Sequence, residues 1–410
     1  MIFPLIKHLF HSILKTSIFP CSWKCVKVIP IKNKGNSSAL TNLRPITILN
    51  ALSKVFEKLI NAQISTFVNE MNFLSPFQSG FRKSHSTESA LLKVHDDIAA
   101  SIDKKGIAFL LLIDFAKAFD RVSHRKLLNK LRSTFLFSDS AARLIQSYLE
   151  TRSQAVFCNE MFSYFQQITS GVPQGSILVP LLFSLFINDL PLVLKHCSVH
   201  LFADDVQIYY CTESIFDLLD IRDQINADLS NILEWSHRNL LPINPSKTKA
   251  IIFNRSRSPL ICPPLVFGNE PIEFVSSLDN LGIVFSSDLD WDAQINSQCG
   301  KIYGIFKRLN IVTRHFDIAT KTRLFKTLVF PHFTYGDFLY TNASATGIAK
   351  LRVALNACVR YVYNLSRYSR VTHLQKFLIG CPFAKFYWFR SCTTIYKLIS
   401  AKNLIICLSS

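Results

Sequence analysis

No apolar run in this 410-residue chain approaches the roughly 20 residues of a membrane span. The longest, ILVPLLFSLFI at 177–187, is broken by Pro180 and stops at Asn188 and Asp189. The opening MIFPLIKHLFHSILK is interrupted by Lys7 and His8 and leads to no small-residue cleavage site, so it reads as an amphipathic helix and not a signal peptide. There is no C-x-x-C pair. Eleven cysteines stand singly, and Cys21 and Cys25 have no second pair to complete a zinc site. That excludes a disulfide framework and structural zinc, and implies reduced thiols in an intracellular protein, cytoplasmic or nuclear, neither secreted nor membrane-bound. Repeats and low-complexity tracts are missing too. Acidic residues almost vanish from the rear: between 301 and 410 only Asp317 and Asp337 remain.

What is present is half apolar and rich in Phe, enough for a large core and two or three domains. The net charge of +18 is unevenly spread. Residues 1–105 carry 14 Lys and Arg against 6 Asp and Glu, residues 106–300 carry 15 against 20, and residues 301–410 carry 17 against 2. Basic ends around an acidic middle suggest a polyanion gripped from both sides, with cations held between. A merely solubilising surface is the alternative.

Hydrophobic spacing predicts largely helical structure in the first hundred residues, with a long helix over 51–71. A buried strand follows at 107–115, then a turn and helix. A helix and strand fall within 142–157, with further helices over 177–189 and 214–240. KAIIFNRS is a strand, the stretch 256–265 a loop, and 301–364 successive helices. Strands and helices alternate in the middle between helical ends, which is an α+β pattern.

The chemistry concentrates in three short stretches. LFADDVQIYY at 201–210 sets Asp204 beside Asp205 between strand-forming flanks. Neighbours on a strand point to opposite faces, so two carboxylates serving one site require a hairpin with the pair at its tip. Such a pair repels unless a cation holds both ionised. A polar turn is the plainer reading. Asp114 ends the buried run AFLLLID, where an unpaired carboxylate is costly, and Asp120 follows six residues later. Three carboxylates on a small sheet are what two Mg²⁺ ions, or Mn²⁺, need in phosphoryl transfer. In SGVPQGSILVPLLF, Gly171 and Gly175 bracket Pro173 and Gln174, a loop that can bring backbone close to a flat ligand.

Together these stretches resemble the reverse transcriptases of non-LTR retrotransposons of the jockey and LINE type. WKCVKVIPIKNKG and NLRPITILNALSKVFEKLI resemble the entry into the fingers, and FQSGFRKSHST the next block. LLLIDFAKAFDRVSHRKLLNKL, SGVPQGSILVPLLFSLFINDLP and FADDVQIY are similar to the three palm motifs in order. LLPINPSKTKAIIF and NLGIVFSSDLDW resemble the two blocks after them. The resemblance implies a right-hand polymerase fold with helical fingers, an antiparallel-sheet palm and a helical thumb. It implies a helical extension over 1–27, fingers and palm over 28–285 and a basic thumb over 286–410. The implied reaction is RNA-directed DNA synthesis from deoxynucleoside triphosphates on an RNA template and a DNA primer.

Carried over residue by residue, the resemblance makes Asp114, Asp204 and Asp205 metal ligands, with the carbonyl of Phe115 as a further one. Phe119 falls under the sugar, excluding a ribose 2′-OH, or else packs in the core. Gln174 and Gly175 sit against the incoming base pair. Arg44, Lys54 and Arg82 are triphosphate candidates, and Lys247 is a candidate to protonate the leaving pyrophosphate; each is otherwise a surface cation. One departure stands out. Val179 replaces the family's usual glycine, and would strain the loop if that position needed an unusual backbone angle. No endonuclease-like stretch precedes the polymerase blocks, which reads as a truncated element. The alternatives are a decayed or domesticated relic that binds nucleic acid without polymerising, or another polymerase of the same hand, a maturase or an RNA-copying RNA polymerase.

Overall fold

The structure is a computed structural model describing residues 2–32, 43–213, 218–255, 262–313, 315–381 and 383–400. It begins with α1 (Ile2–Thr16), the amphipathic helix expected, whose Phe10 and Ile13 are buried. The next two elements are strands, β1 (Cys25–Lys32) and β2 (Leu43–Ile48), paired antiparallel with Ile29 opposite Ile46. The expected helical front is therefore wrong at this point. Only Val26 and Val28 of β1 mark a strand face, and its other partner lies more than a hundred residues away, so the local signal is weak. β1 also runs across the expected boundary at 27/28.

Helices α2 (Ala51–Glu70) and α3 (Thr87–Asp103) follow, capped by the Asn50 and Ser86 side chains. They lead into β3 (Ile107–Ile113), then α4 (His124–Ser133), α5 (Asp139–Leu149) and the strands β4 (Arg152–Cys158), β5 (Met161–Phe162) and β6 (Gln166–Ile168). β1 pairs parallel to β4, and β6 and β5 add antiparallel to β4, so the front of the molecule carries a sheet among its helices. After α6 (Val179–Phe186) come the hairpin β7 (Ser198–Phe202) and β8 (Asp205–Thr212), helix α7 (Leu218–Asn239) and β9 (Lys249–Phe253). Short strands β10 (Val266–Phe267), β11 (Glu270–Pro271), β12 (Glu273–Phe274), β13 (Ser277–Asn280) and β14 (Ile283–Ser286) complete the strand-bearing part. Of the predicted helix at 214–240 and loop at 256–265, residues 214–217 and 256–261 lie outside the described residues.

The central sheet has the order β12-β9-β3-β8-β7. It is antiparallel except at the edge, where β12 runs parallel to β9. β3 sits in the middle and is buried on both faces. Ile107, Phe109, Leu111 and Ile113 enter one core with α1, α2 and α4–α7, while Ala108 and Leu110 enter a second core on the other side. Two buried faces explain why IAFLLLI is apolar without alternation. The second core is closed by α3 and by the rear helices α8 (Asp292–Val312), α10 (Phe330–Thr334), α11 (Ala345–Val362), α12 (Thr372–Ile379) and α13 (Phe383–Ser400), while the short α9 (Ile318–Leu324) contributes no side chain to it. A π turn at Phe325–Val329 precedes Pro331, which cannot donate the next helical hydrogen bond. Among the described residues no helix is long and apolar enough to cross a membrane.

Candidate active site

The adjacent aspartates do stand at a hairpin. Phe202 pairs with Asp205, and the two residues between them, Ala203 and Asp204, make the turn. Ala203 has φ 57°, a left-handed conformation that an alanine holds only when its surroundings impose it. The surroundings come from the FQSG stretch. Gln78 forms a parallel bridge to Leu201, and its Oε1 accepts from the Gly80 and Ala203 amides at 2.7 and 3.2 Å. A Cβ on Gly80 would come within 2.1 Å of the Ala203 nitrogen, so only glycine admits the turn this close. The FQSGFRKSHST block thus buttresses the carboxylate hairpin. Arg82 fits that role: its guanidinium donates to the Ser75 carbonyl at 3.1 Å, and no hydrogen bond or ion pair among the described residues ties it to the carboxylates.

Strand register brings the third carboxylate in. The β3–β8 ladder ends with Ile113 opposite Val206, and one further step sets Asp114 against Asp205 on the same face. The carboxylates feel one another. Asp205 is exposed in area, yet the protein mass around it, then Asp204, then Asp114, pushes its carboxyl up to about 6, with Arg44 opposing. Asp204 is raised by burial first and by Asp114, again against Arg44. Lys247 Nζ lies 3.3 Å from Asp114 Oδ2, which makes it the closest cation to the group. The chain after Asp114 is fixed by backbone pairing, with Asn244 N donating to the Asp114 carbonyl at 2.8 Å and Phe115 bridged to Ile243. Phe115 itself is buried against Trp235.

The Gly-Val-Pro-Gln-Gly loop packs between this site and the front sheet. Thr47 N donates to the Gln174 carbonyl at 2.8 Å, and Gly175, at φ 114°, would place a Cβ 2.7 Å from the Thr47 carbonyl oxygen. Gln174 Nε2 donates to Asp120 Oδ1 at 2.9 Å. Phe119 is half-buried, its ring 4.6 Å from that of Phe183. Arg44 is exposed on β2, and Lys54 is half-buried on α2 with no hydrogen bond or ion pair of its side chain to the site among the described residues. Val179 is not strained. It opens α6 outside the left-handed region and is buried in the core, where a β-branched side chain is at home.

Sequence reasoning missed one residue that shapes this loop. Glu57 is fully buried; its Oε2 accepts from Ser176 Oγ at 2.6 Å and from the Ile177 amide at 3.0 Å, and its Oε1 from Ser53 Oγ at 2.8 Å. The signal was there: Ser53, Phe56, Glu57 and Ile60 fall on one helical face, and a carboxylate on a buried stripe demands partners.

The family described as "Reverse transcriptase (RNA-dependent DNA polymerase)" matches residues 31–285. The chain belongs to the reverse transcriptase family. It is 27% identical over 383 residues to "Probable RNA-directed DNA polymerase from transposon BS" of Drosophila melanogaster, covering 90% of this chain and 41% of that protein. It is 27% identical over 378 residues to "RNA-directed DNA polymerase from mobile element jockey" of Drosophila funebris, covering 90% and 40%. The chain spans about two fifths of the length of these relatives. Among solved structures, apo telomerase from Candida Tropicalis aligns at a TM-score of 0.48 with 11% identity, over 94% of this chain and 71% of that one. The reverse transcriptase match ends at Phe285, within β14, so the helices from α8 onward lie beyond it, while similarity to the two relatives covers most of the chain.

Divalent ions suit the donor set of this candidate site chemically. Asp204 and Asp205 are both raised, with Asp114 among the causes, and carboxylates placed in this way gain most from a divalent charge among them. Among the described residues no three His, Cys, Asp or Glu side chains converge into a ready-made cage. Magnesium does not require one, because it is commonly held by one or two carboxylates with waters and substrate phosphates completing the shell.

Proposed function

We propose that this chain is the polymerase region of a non-LTR retrotransposon reverse transcriptase, adding deoxynucleotides to a primer 3′-OH under the direction of an RNA template. The observation that carries the reading is that strand register and the hairpin set Asp114, Asp204 and Asp205 at one end of the central sheet, in a chain of this family. Asp114, Asp204, Asp205 and the Phe115 carbonyl would hold Mg²⁺ or Mn²⁺. When bound, the ions supply charge neutralisation at the reacting phosphate and a more acidic primer hydroxyl. Arg44, already in the field of the aspartate pair, faces the triphosphate charge. Lys247 holds Asp114 in the free protein and is poised to release it and donate a proton to the departing pyrophosphate. Gln174 and Gly175 are held against β2 and Asp120, which gives the base pair a rigid wall. Phosphoryl transfer asks mainly for such positioning. In the same reading β1, β2 and α2 act as fingers, the central sheet as palm and residues 286–410 as thumb.

Primer extension by the purified protein with Mg²⁺, deoxynucleotides and an RNA template tests it. Asp204→Asn should abolish extension while leaving template binding nearly intact, since it removes a charge from the site and no packing. A variant that extends as fast as the parent would overturn the assignment. A parent that binds template but never extends a primer would favour a nucleic-acid-binding relic.

A further inference from the structure

Behind the Gly-Val-Pro-Gln-Gly loop is an open cavity of about 840 Å³ between α4, the end of α5 and β6. Arg121, Arg125 and Arg132 all line it, with His124 and Ser170. Among the described residues no carboxylate forms an ion pair with any of the three arginines. Glu150, the acid on the rim, has its carboxylate turned to Gln146 Nε2 at 2.8 Å, and Arg132 donates to the same glutamine's oxygen at 3.2 Å. Arg121 and Arg125 are exposed, and their side chains make no hydrogen bond among the described residues. The first turn of α4, capped by Ser123, opens on the same space and adds its positive dipole end. Three guanidinium groups that line one concavity without an ion-pair partner among the described residues differ from a solvated charge run, whose side chains splay apart.

The cavity is tied to the candidate nucleotide site through two short links. His124 Nε2 is hydrogen-bonded to the Gly171 carbonyl at 2.7 Å. Arg121 follows Asp120, whose carboxylate takes the Gln174 amide at 2.9 Å. A strand whose base is read at Gln174 and Gly175 therefore needs to advance little to bring its backbone among the arginines. Guanidinium forks match phosphodiester oxygens in pairs. The volume admits a length of chain and not merely a single small ion.

We propose that this cavity holds backbone phosphates of the single-stranded template next to the base being copied. The proposal rests on the polymerase reading but is tested without catalysis. Two labelled primer–templates share one duplex; one is blunt and the other carries a 5′ RNA template overhang. Their affinities for the full chain are measured by fluorescence anisotropy over a range of salt, with no nucleotide present. The parent should bind the overhang substrate more tightly and with the steeper salt dependence. Arg121→Gln with Arg125→Gln should weaken the overhang complex at least tenfold and lower its log–log salt slope by about 1.4, at roughly 0.7 per single-strand phosphate contact. The blunt complex should change little. Arg121→Lys with Arg125→Lys, which keeps the charge, should restore most of the slope, and both variants should melt as the parent does. A parent with no preference for the overhang, or equal losses on both substrates, would overturn the proposal. Failure of the polymerase reading shows separately, as a parent that does not extend primers.

Discussion

Phe119 rests one face on Phe183 and leaves the rest of its ring half-exposed, beside the loop that carries Gln174. The two readings its sequence position allowed, core packing and a wall under the sugar, are compatible in this geometry. A ring backed by another ring cannot retreat when a bulkier sugar arrives. On the proposed polymerase reading, a 2′-OH placed there would lose its water and gain no partner, so the ring would discriminate by exclusion. Phe119→Val should raise the use of ribonucleotides relative to deoxynucleotides by about tenfold, which needs only ~1.4 kcal/mol of differential transition-state energy. The measurement is the ratio of kcat/KM for a matched ribo- and deoxynucleotide in parent and variant. Equal ratios in the two proteins would assign Phe119 to the core alone.

Elements are held together by buried polar contacts that reach across the sequence. Asp337 is fully buried at the start of the turn before α11, and its Oδ2 accepts from Arg390 Nε of α13 at 2.8 Å. Burial pushes its carboxyl up to about 6, Arg390 opposes the rise, and Glu88 adds to it. The unfolded chain protonates the same group near 3.8. Between those values the folded state binds more protons, so this group's contribution to stability is greatest below about pH 4 and declines as pH rises through about 6. Unfolding free energies of the parent and of Asp337→Asn, measured by urea titration from pH 4 to 7, should therefore change differently. The parent should lose on the order of 1–3 kcal/mol relative to the variant as pH rises. A constant difference would mean that the ion pair cancels the cost of burial.

The same elements mark what could be read from the chain. The hairpin at Ala203–Asp204, the doubly buried β3 and the long helices are dictated by local pattern, and were legible. β1 and β2 were not, because β1 finds β4 more than a hundred residues later and carries only two buried valines to announce it. Arg82 shows a further limit. A basic residue in a matching block predicts charge, but its anchoring to the Ser75 carbonyl, more than a phosphate contact, is what tertiary structure adds and the sequence does not announce.

At the scale of the whole molecule, the acidic centre lies between a basic front and a rear that carries 17 Lys and Arg against 2 Asp and Glu. The rear is not a loose tail. Its helices share a core with β3, β9 and α3, so its charge is carried on a body packed against the central sheet. On α8 the exposed side includes Lys301, Lys307 and Arg308, while Ile295, Cys299 and Ile302 face inward. Such a helix presents cations to solvent, where a duplex could meet them, without spending packing on them. Neutralising all three with glutamine should leave the fold intact and reduce affinity for a blunt template–primer duplex. If each contacts a phosphate, the log–log salt slope should fall by nearly three, close to one per contact on duplex. This signature is the reverse of that expected at the Arg121 cavity, where the overhang and not the duplex is held. An unchanged duplex slope in the α8 variant would show that the rear charge merely keeps the protein in solution. A slope that falls on both substrates alike would place the grip on the duplex shared by both.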